Sequence, residues 1–130
     1  MDVGLDTVTD EITLTMPRDR DYFSVAHLVI GGVGIRLNLT IETLEDLQLA
    51  LDAILERDHE GGEVTIALKL DDEAIETEVG PFGDGVRREL ERRGEDEVGL
   101  SRILDTLVDD VQLEAGEGGH WVKLRKTIGP

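Results

Sequence analysis

Residues 64–70 (VTIALKL) constrain the fold most strongly, because their apolar side chains fall on every second position. This alternation is the period of a β-strand that buries one face. Two aspartates follow as a turn, and residues 75–79 (IETEV) then alternate in the same way. The two runs predict an antiparallel β-hairpin.

Two helices are predicted before this hairpin. Residues 20–37 place apolar side chains on one helical face. Gly31, Gly32 and Gly34 weaken the second half of that helix by about 1 kcal/mol each relative to alanine, so it either frays or packs closely against a neighbour. Thr40 is a suitable N-cap for a second helix that extends to about Arg57.

Three further strands and two helices complete the order of elements. A strand at residues 12–16 stops at Pro17, and strands are predicted at residues 111–113 and 122–128. Two helices are predicted between the hairpin and the strand at residues 111–113. The first, at residues 86–93, is short and charged, and the second, at residues 98–108, has apolar side chains along one face. The order predicts an α+β two-layer sandwich, with a mixed, mostly antiparallel five-stranded sheet and helices on one face.

Length and charge limit the domain count and the partners. The 130 residues suffice for a single domain, 1–130, and carry a net charge of −17. A chain with this much negative charge repels phosphate backbones and anionic lipid. We therefore expect neither nucleic acid nor a membrane as a partner. The sequence has no cysteine, and its first residues lack the basic region followed by an apolar run that is typical of a secretory signal. The sequence therefore predicts a cytoplasmic protein. The three histidines are far apart in sequence, so no metal site is expected.

The stretch EVGPFGDG, from Glu78 to Gly85, contains three glycines and a proline. This composition argues against regular structure. It lies after a strand and before an arginine-rich run, where a glycine-rich backbone can hold a phosphate group. A working nucleotide loop, a damaged one and a simple turn are all compatible with this stretch.

Two longer runs, TLEDLQLALDAILER and VGLSRILDTLVDDVQLEAGEGGHWVKLRK, carry a family resemblance. The first is similar to the second helix of the anti-sigma-factor serine-kinase family, and the second is similar to its C-terminal half. That family belongs to the superfamily of ATPase domains shared by gyrase and histidine kinases. The resemblance covers nearly the whole chain and implies a histidine-kinase-like ATPase fold. It also implies a domain that binds ATP and Mg²⁺, captures a sigma factor and phosphorylates a small antagonist protein on serine.

The catalytic helix departs from the family pattern. The family uses a glutamate as base and an asparagine as Mg²⁺ ligand, and the resemblance aligns Ala53 and Arg57 with these positions. Alanine cannot accept a proton, and arginine repels a cation. Asp52 is the neighbouring carboxylate, but successive residues of a helix are about 100° apart around its axis. The Asp52 carboxylate would therefore point in a different direction from a side chain at position 53. Asn38, the only asparagine, precedes this helix. We therefore expect no catalytic residue and no metal ligand, with Asp52 as a remnant of the nucleotide site.

The adenine-binding turn of the family, Asp-x-Gly-x-Gly, corresponds to the stretch described above. Glu78 retains an acceptor that is one methylene longer, and Gly80 retains the first glycine. Phe82 places a ring where the family keeps open space. The resemblance thus implies that Glu78 and Gly80 are remnants and that Phe82 blocks the nucleotide.

The phosphate-binding motif of the family, Gly-x-Gly-Leu, begins the late helix. Gly99 and Leu100 match its second half, whereas Glu97 replaces its first glycine. Asp96 and Glu95 add negative charge beside it. Acids at this end of a helix stabilise it and also repel a triphosphate.

A cluster of basic residues stands out in this acidic chain: Arg87, Arg88, Arg92 and Arg93. It lies where the family has its lid over the nucleotide. Ion pairs Glu89–Arg93 and Arg88–Glu91 would make the cluster an ordinary solvated helix face. The alternative is a contact site for an anion or an acidic partner.

Three functions remain open from the sequence. The first is a degenerate regulatory domain that needs no cofactor, binds a sigma factor or its antagonist, and acts in transcription or stress signalling. The second is a divergent ATP-binding serine-protein kinase that uses Asp52 or Glu56 as base and Glu78 for adenine. The third is a dimerisation domain, because members of the family often form homodimers through the first strand and helix.

Overall fold

The computed structural model describes residues 2–6, 11–59, 61–71, 73–92 and 99–128. Its strands are β1 Asp2–Asp6, β2 Glu11–Pro17, β3 Glu63–Leu70, β4 Ala74–Phe82, β5 Asp110–Gly116 and β6 Gly119–Thr127. Its helices are α1 Phe23–Leu37, α2 Ile41–Leu55, α3 Asp84–Glu91 and α4 Leu100–Leu107, with a 3₁₀ turn at Arg20–Tyr22 before α1.

The strands form one sheet in the order β1-β2-β3-β4-β6-β5. The predicted α+β class is confirmed, and every neighbouring pair of described strands is antiparallel. The structure adds the edge strand β1 to the five strands expected. The sequence DVGLD gives little local signal for a strand, and β1 is instead held by its pairing with β2, in which Val3 lies opposite Leu14.

The hydrophobic core lies between the sheet and the helices. The sheet contributes alternate residues of four strands: Leu14, Met16, Val64, Ile66, Leu68, Val79, Val122 and Leu124. The helices contribute Ile30, Val33, Leu47, Leu51, Ile54, Leu100 and Leu104. The other face of the sheet is polar, and there the hydroxyl groups of Thr15 and Thr65 lie 3.0 Å apart. The alternation seen in the sequence therefore separates a helix-covered face from an open one.

Close packing against α2 accounts for one of the three glycines of α1, Gly34. A Cβ atom at Gly34 would lie 3.1 Å from Cδ1 of Leu44 on α2, so the glycine lets the two helices approach. Asn38 follows the last residue of α1 as its C-cap. Its φ of 56° is the left-handed conformation common directly after a helix. Thr40 caps α2 as predicted, since its Oγ1 accepts a hydrogen bond from the Thr43 N–H at 3.1 Å.

The expectation that residues 78–85 lack regular structure was wrong. Strand β4 continues to Phe82, and α3 begins at Asp84. The pairing of β4 with β6 shifts register between Val79 and Phe82. Such an irregularity accommodates Pro81, which has no N–H to donate to a regular ladder.

Candidate nucleotide site between the helices and the sheet

Near the end of β4, the helices α3 and α4 contribute apolar side chains to the hydrophobic core. Phe82 is only 2% exposed there and belongs to the hydrophobic core. Val86 and Leu90 of α3 and Leu100 of α4 are buried in the same cluster. Apolar side chains therefore fill this region of the described structure, and Phe82 is one of the largest of them.

A carboxylate of the chain itself lies at the N-terminus of α4. Oε2 of Glu89 accepts a hydrogen bond from the backbone N–H of Leu100 at 3.3 Å. The same oxygen lies 4.0 Å from Nε of Arg57. Unpaired N–H groups at a helix N-terminus attract anions, and Glu89 supplies a negative charge there. No sequence signal indicated this role, because Glu89 is eleven residues before Leu100, the first residue of α4, and lies in another helix.

Asp52 is paired with α1. Nε2 of His27 lies 2.8 Å from Oδ1 and 2.9 Å from Oδ2 of Asp52. Ala53, one residue further along α2, packs against the core instead. The carboxylate next to the expected base position therefore joins two helices, and both partners are partly exposed.

Glu78 lies on the open face of the sheet. Its Oε1 is 3.3 Å from Nζ of Lys69 and 3.6 Å from Nζ of Lys123. Val79, its neighbour on β4, is buried on the helix-covered face. Because successive strand residues point to opposite faces, the sheet separates the Glu78 carboxylate from α2 and α4.

Gly80 makes room for an aromatic ring. A Cβ atom at Gly80 would lie 2.7 Å from Cδ2 of Trp121, and one at Gly116 would lie 2.6 Å from its Cδ1. Nε1–H of Trp121 donates a hydrogen bond to the carbonyl oxygen of Glu117 at 3.0 Å. Packing of Trp121 across β4 and β5 thus accounts for the glycine at position 80.

Arg18 holds the end of β4 in place, a role that the sequence reasoning did not identify. Its side chain is 7% exposed and donates hydrogen bonds to the carbonyl oxygens of Glu63, at 2.9 Å, and Pro81. The guanidinium carbon lies 5.3 Å from the centre of the Phe82 ring, within the range of a cation–π contact. Its NH1 is also 3.6 Å from a carboxylate oxygen of Asp58. The sequence contained one signal for this role: Arg18 directly follows Pro17, which ends β2.

The arginine cluster is only partly engaged in ion pairs. Arg87 lies 2.8 Å from Glu91 and 3.6 Å from Asp84. The hydrogen bond with His120, followed by the charge of Arg87, lowers the pKa of Asp84. The predicted Arg88–Glu91 pair is wrong, because Glu91 bonds to Arg87.

Arg88 and Arg92 are exposed, and no ion pair joins either of them to another described residue. Arg93 falls outside the described residues, so the predicted Glu89–Arg93 pair cannot be placed. The same holds for Glu95, Asp96 and Glu97, while Gly99 is the N-cap of α4 without a side-chain bond.

Within the described ranges, no group of three or more His, Asp or Glu side chains could hold a metal ion. No helix in this part of the chain is both long and apolar enough to cross a membrane.

The antiparallel sheet covered by helices on one face, with motif positions on α2, β4 and α4, is consistent with the ATPase domains of gyrase and histidine kinases. Comparison with curated proteins shows which members of this class the chain is similar to. No protein-family model matches the chain.

Several bacterial proteins named serine-protein kinase RsbW are similar to most of the chain. The protein from Listeria monocytogenes is 29% identical over 86% of this chain and 84% of its own length. Those from Oceanobacillus iheyensis and Bacillus velezensis are 26% and 22% identical, over 92% and 88% of this chain. Their alignments cover 87% and 84% of the relatives. The chain is thus a homologue of these kinases, and the resemblance inferred from its motifs is confirmed.

Proposed function

We propose that this chain is a regulatory protein-binding domain related to the anti-sigma serine kinases and no longer binds ATP and Mg²⁺. The observation that carries the proposal is the Glu89 carboxylate on the Leu100 N–H. A triphosphate at that helix N-terminus would have to displace this carboxylate or lie against it, and like charges repel.

The residues at the other motif positions support the same proposal. Arg57 offers a guanidinium where the family has a magnesium ligand, and magnesium requires oxygen donors. Phe82, which lies in the turn that the resemblance assigns to adenine, is buried in the hydrophobic core, so this turn offers no open space for a base. Glu78 is held by two lysines on the far face of the sheet, so it is poorly placed to accept a hydrogen bond from adenine.

The proposed activity is capture of a protein, a sigma factor or its antagonist, in transcription or stress signalling in the cytoplasm. The exposed Arg88 on α3 and Arg92 directly after it provide positive charge for an acidic segment or an anion. Arg87 contributes less, because two carboxylates already neutralise it. A homodimer through the first strand and helix stays a prediction that rests on the resemblance.

Isothermal titration calorimetry with Mg-ATP tests the loss of nucleotide binding. We expect no heat above that of dilution, with the Listeria monocytogenes relative titrated under the same conditions as a positive control. A dissociation constant in the micromolar range for the wild-type chain would refute the proposal.

The alternative is a divergent serine-protein kinase, and the names of the similar proteins favour it. Glu56 is 40% exposed and paired with Arg20 at 2.8 Å, so it is the more accessible candidate base. This alternative requires ATP turnover that disappears in a Glu78→Ala variant, and a Glu56→Gln variant then tests whether Glu56 rather than Asp52 is the base. A phosphate-release assay on the wild-type and variant chains separates the two functions.

A further inference from the structure

Strand β5 forms one edge of the sheet, and no other strand of the described residues pairs with its outer side. Its pairing with β6 is regular from Asp110 to Gly116. The strand contains no proline and no basic residue. Lysine, proline and bulges are the usual means by which proteins keep a second strand from adding to an edge. The outward-facing N–H and C=O groups of β5 can therefore pair with a further strand.

The two sides of this edge differ in chemistry. Asp110, Gln112 and Glu114 alternate along β5 and are exposed on the open face of the sheet. Val111 and Leu113 lie on the helix-covered face, where they are half-buried and pack against the core. A strand added to this edge would thus meet carboxylates on one face and apolar side chains on the other.

Helix α4 extends the apolar side of the edge. It contacts β5, and its half-buried Ile103 and Leu107 line a groove of about 280 Å³. Apolar side chains on the helix-facing side of an added strand would continue the row of Val111 and Leu113 beside this helix. Their burial there removes apolar surface of both partners from water, which favours association.

The carboxylate side contains a place for a long cationic side chain. A shallow pocket of about 240 Å³ lies on the open face, and its lining includes the Trp121 indole, Glu78, Glu114 and Glu117. Lys123 lies 3.6 Å from both Glu78 and Glu114 and balances part of their charge. Glu117 is exposed, and no ion pair joins it to another described residue. Because tryptophan is the best aromatic partner for a cation and arginine is its commonest one, the pocket suits a guanidinium group.

We propose that the outer edge of β5 binds an extended segment of a protein partner, which adds a strand to the sheet and alternates basic with apolar side chains. Main-chain hydrogen bonds hold the segment, and the alternation of its side chains sets the register. Glu114 lines the pocket, so an arginine beside it on the added strand extends its guanidinium towards Trp121. The inference rests on the proposed protein-binding function, for which it names a surface and a partner chemistry.

A second copy of this chain is a less suitable occupant. Antiparallel pairing of two β5 strands about Gln112 places Asp110 of each copy opposite Glu114 of the other, and like charges directly opposite destabilise a strand pair. The homodimer implied by the resemblance uses the first strand and helix, and β1 is at the other edge of the sheet. The homodimer and the added strand therefore do not compete for one edge.

The emission of Trp121, the only tryptophan, reports binding at this edge in the full chain. The first peptide alternates arginine with valine and contains no aromatic residue. A second replaces every arginine with glutamate, and a third has the residues of the first in an order without alternation. We expect a saturable change in emission with the first peptide, at an affinity at least about tenfold higher than that of the other two. Equal affinities of the first and third peptides would show attraction by charge alone and overturn the inference.

N-methylated peptides test the main-chain hydrogen bonds. One version of the first peptide carries N-methyl groups on all arginines, and the other carries them on all valines. Because the N–H groups of successive strand residues point to opposite edges, only one version keeps the donors that face β5. We expect that version to bind like the unmodified peptide and the other to bind at least about tenfold more weakly. Equal affinities of the two versions, whether high or low, would contradict strand addition.

Variants locate the binding surface. Glu114→Lys is expected to weaken binding of the arginine peptide at least about tenfold and to strengthen binding of the glutamate peptide. Glu45→Lys is the matched control, since it makes the same charge change at an exposed position of α2, in the helical layer. The inference fails if the two variants weaken binding of the arginine peptide equally.

Sedimentation equilibrium with and without the arginine peptide tests for a second copy at this edge. We expect the peptide to leave the oligomeric state unchanged, and a homodimer that the peptide dissociates would assign the β5 edge to a second copy and overturn the inference. None of these results depends on the Mg-ATP titration. Nucleotide binding would refute the proposed loss of ATP binding without changing the peptide affinities, so the two proposals can fail separately.

Discussion

The Glu89 carboxylate on α3 caps the N-terminus of α4 through the backbone N–H of Leu100, with 3.3 Å between oxygen and nitrogen. Gly99, the N-cap of α4, has no side chain that could serve this purpose. The nearby guanidinium of Arg57 places a positive charge beside the carboxylate. A hydrogen bond within the chain thus joins α3 to α4 at the helix N-terminus for which the family resemblance predicted phosphate binding.

Removing this cap should destabilise the fold. We expect Glu89→Ala to lower the free energy of unfolding by about 0.5–2 kcal/mol, the usual cost of losing a helix cap. Urea denaturation measures the change. Glu91→Ala is the matched control: its exposed pair with Arg87 is worth about 0.3–0.5 kcal/mol. Equal losses in the two variants would contradict the capping role.

Arg18 should be far more important to stability than an exposed arginine. Arg18→Met leaves the carbonyl groups of Glu63 and Pro81 without this charged donor, and a hydrogen bond to a charged group is worth roughly 1.5–3 kcal/mol. We therefore expect a loss of at least about 2 kcal/mol in unfolding free energy. Arg20→Met, which removes an exposed pair with Glu56, should cost less than about 1 kcal/mol. A loss from Arg18→Met no larger than that from Arg20→Met would show that Arg18 is not a structural link.

Gly80→Ala should introduce a clash with Trp121. The added Cβ atom would lie 2.7 Å from the indole, and overpacking typically costs about 1–3 kcal/mol. Thermal unfolding followed by tryptophan fluorescence measures this loss, and a Trp121→Leu background should relieve most of it. Gly85→Ala in α3 meets no atom within 4 Å and should stabilise the helix by up to about 1 kcal/mol. A neutral Gly80→Ala would mean that the ring moves aside at little cost.

Asp71 should contribute to loss of stability in acid. Its Oδ1 accepts hydrogen bonds from the backbone N–H groups of Ala74 and Glu73, and these bonds lower the pKa of its carboxyl group below 3.8. A pKa that is lower in the folded state stabilises the protein above the unfolded value, and this stabilisation is lost as the pH falls through the folded value. Urea denaturation from neutral pH to below about pH 4 should therefore show a smaller pH-dependent loss in Asp71→Asn. An unchanged pH profile would mean that the bonds do not persist in solution.

Much of the fold could be predicted because the signals are local. The hairpin of β3 and β4 follows from a period of two, and α2 follows from a helical stripe after Thr40. The same alternation also indicated that Glu78 lies on the opposite face from Ile75, Thr77 and Val79. The motif resemblance nevertheless pointed to a role for Glu78 in the nucleotide site. Its bonds to Lys69 and Lys123 agree with the alternation.

The sequence by itself determined the order of the elements from β2 to β6, the inward-facing residues and the absence of an asparagine from α2. Only the tertiary structure decided what residues 78–82 and Glu89 do. Glycine and proline lower the intrinsic tendency of a segment to form regular secondary structure. Strands β3 and β6 on either side nevertheless supply hydrogen bonds to β4. The contact between Glu89 and Leu100 joins two helices, and no residue spacing along the chain encodes it, because the packing of α3 and α4 alone brings the two groups together.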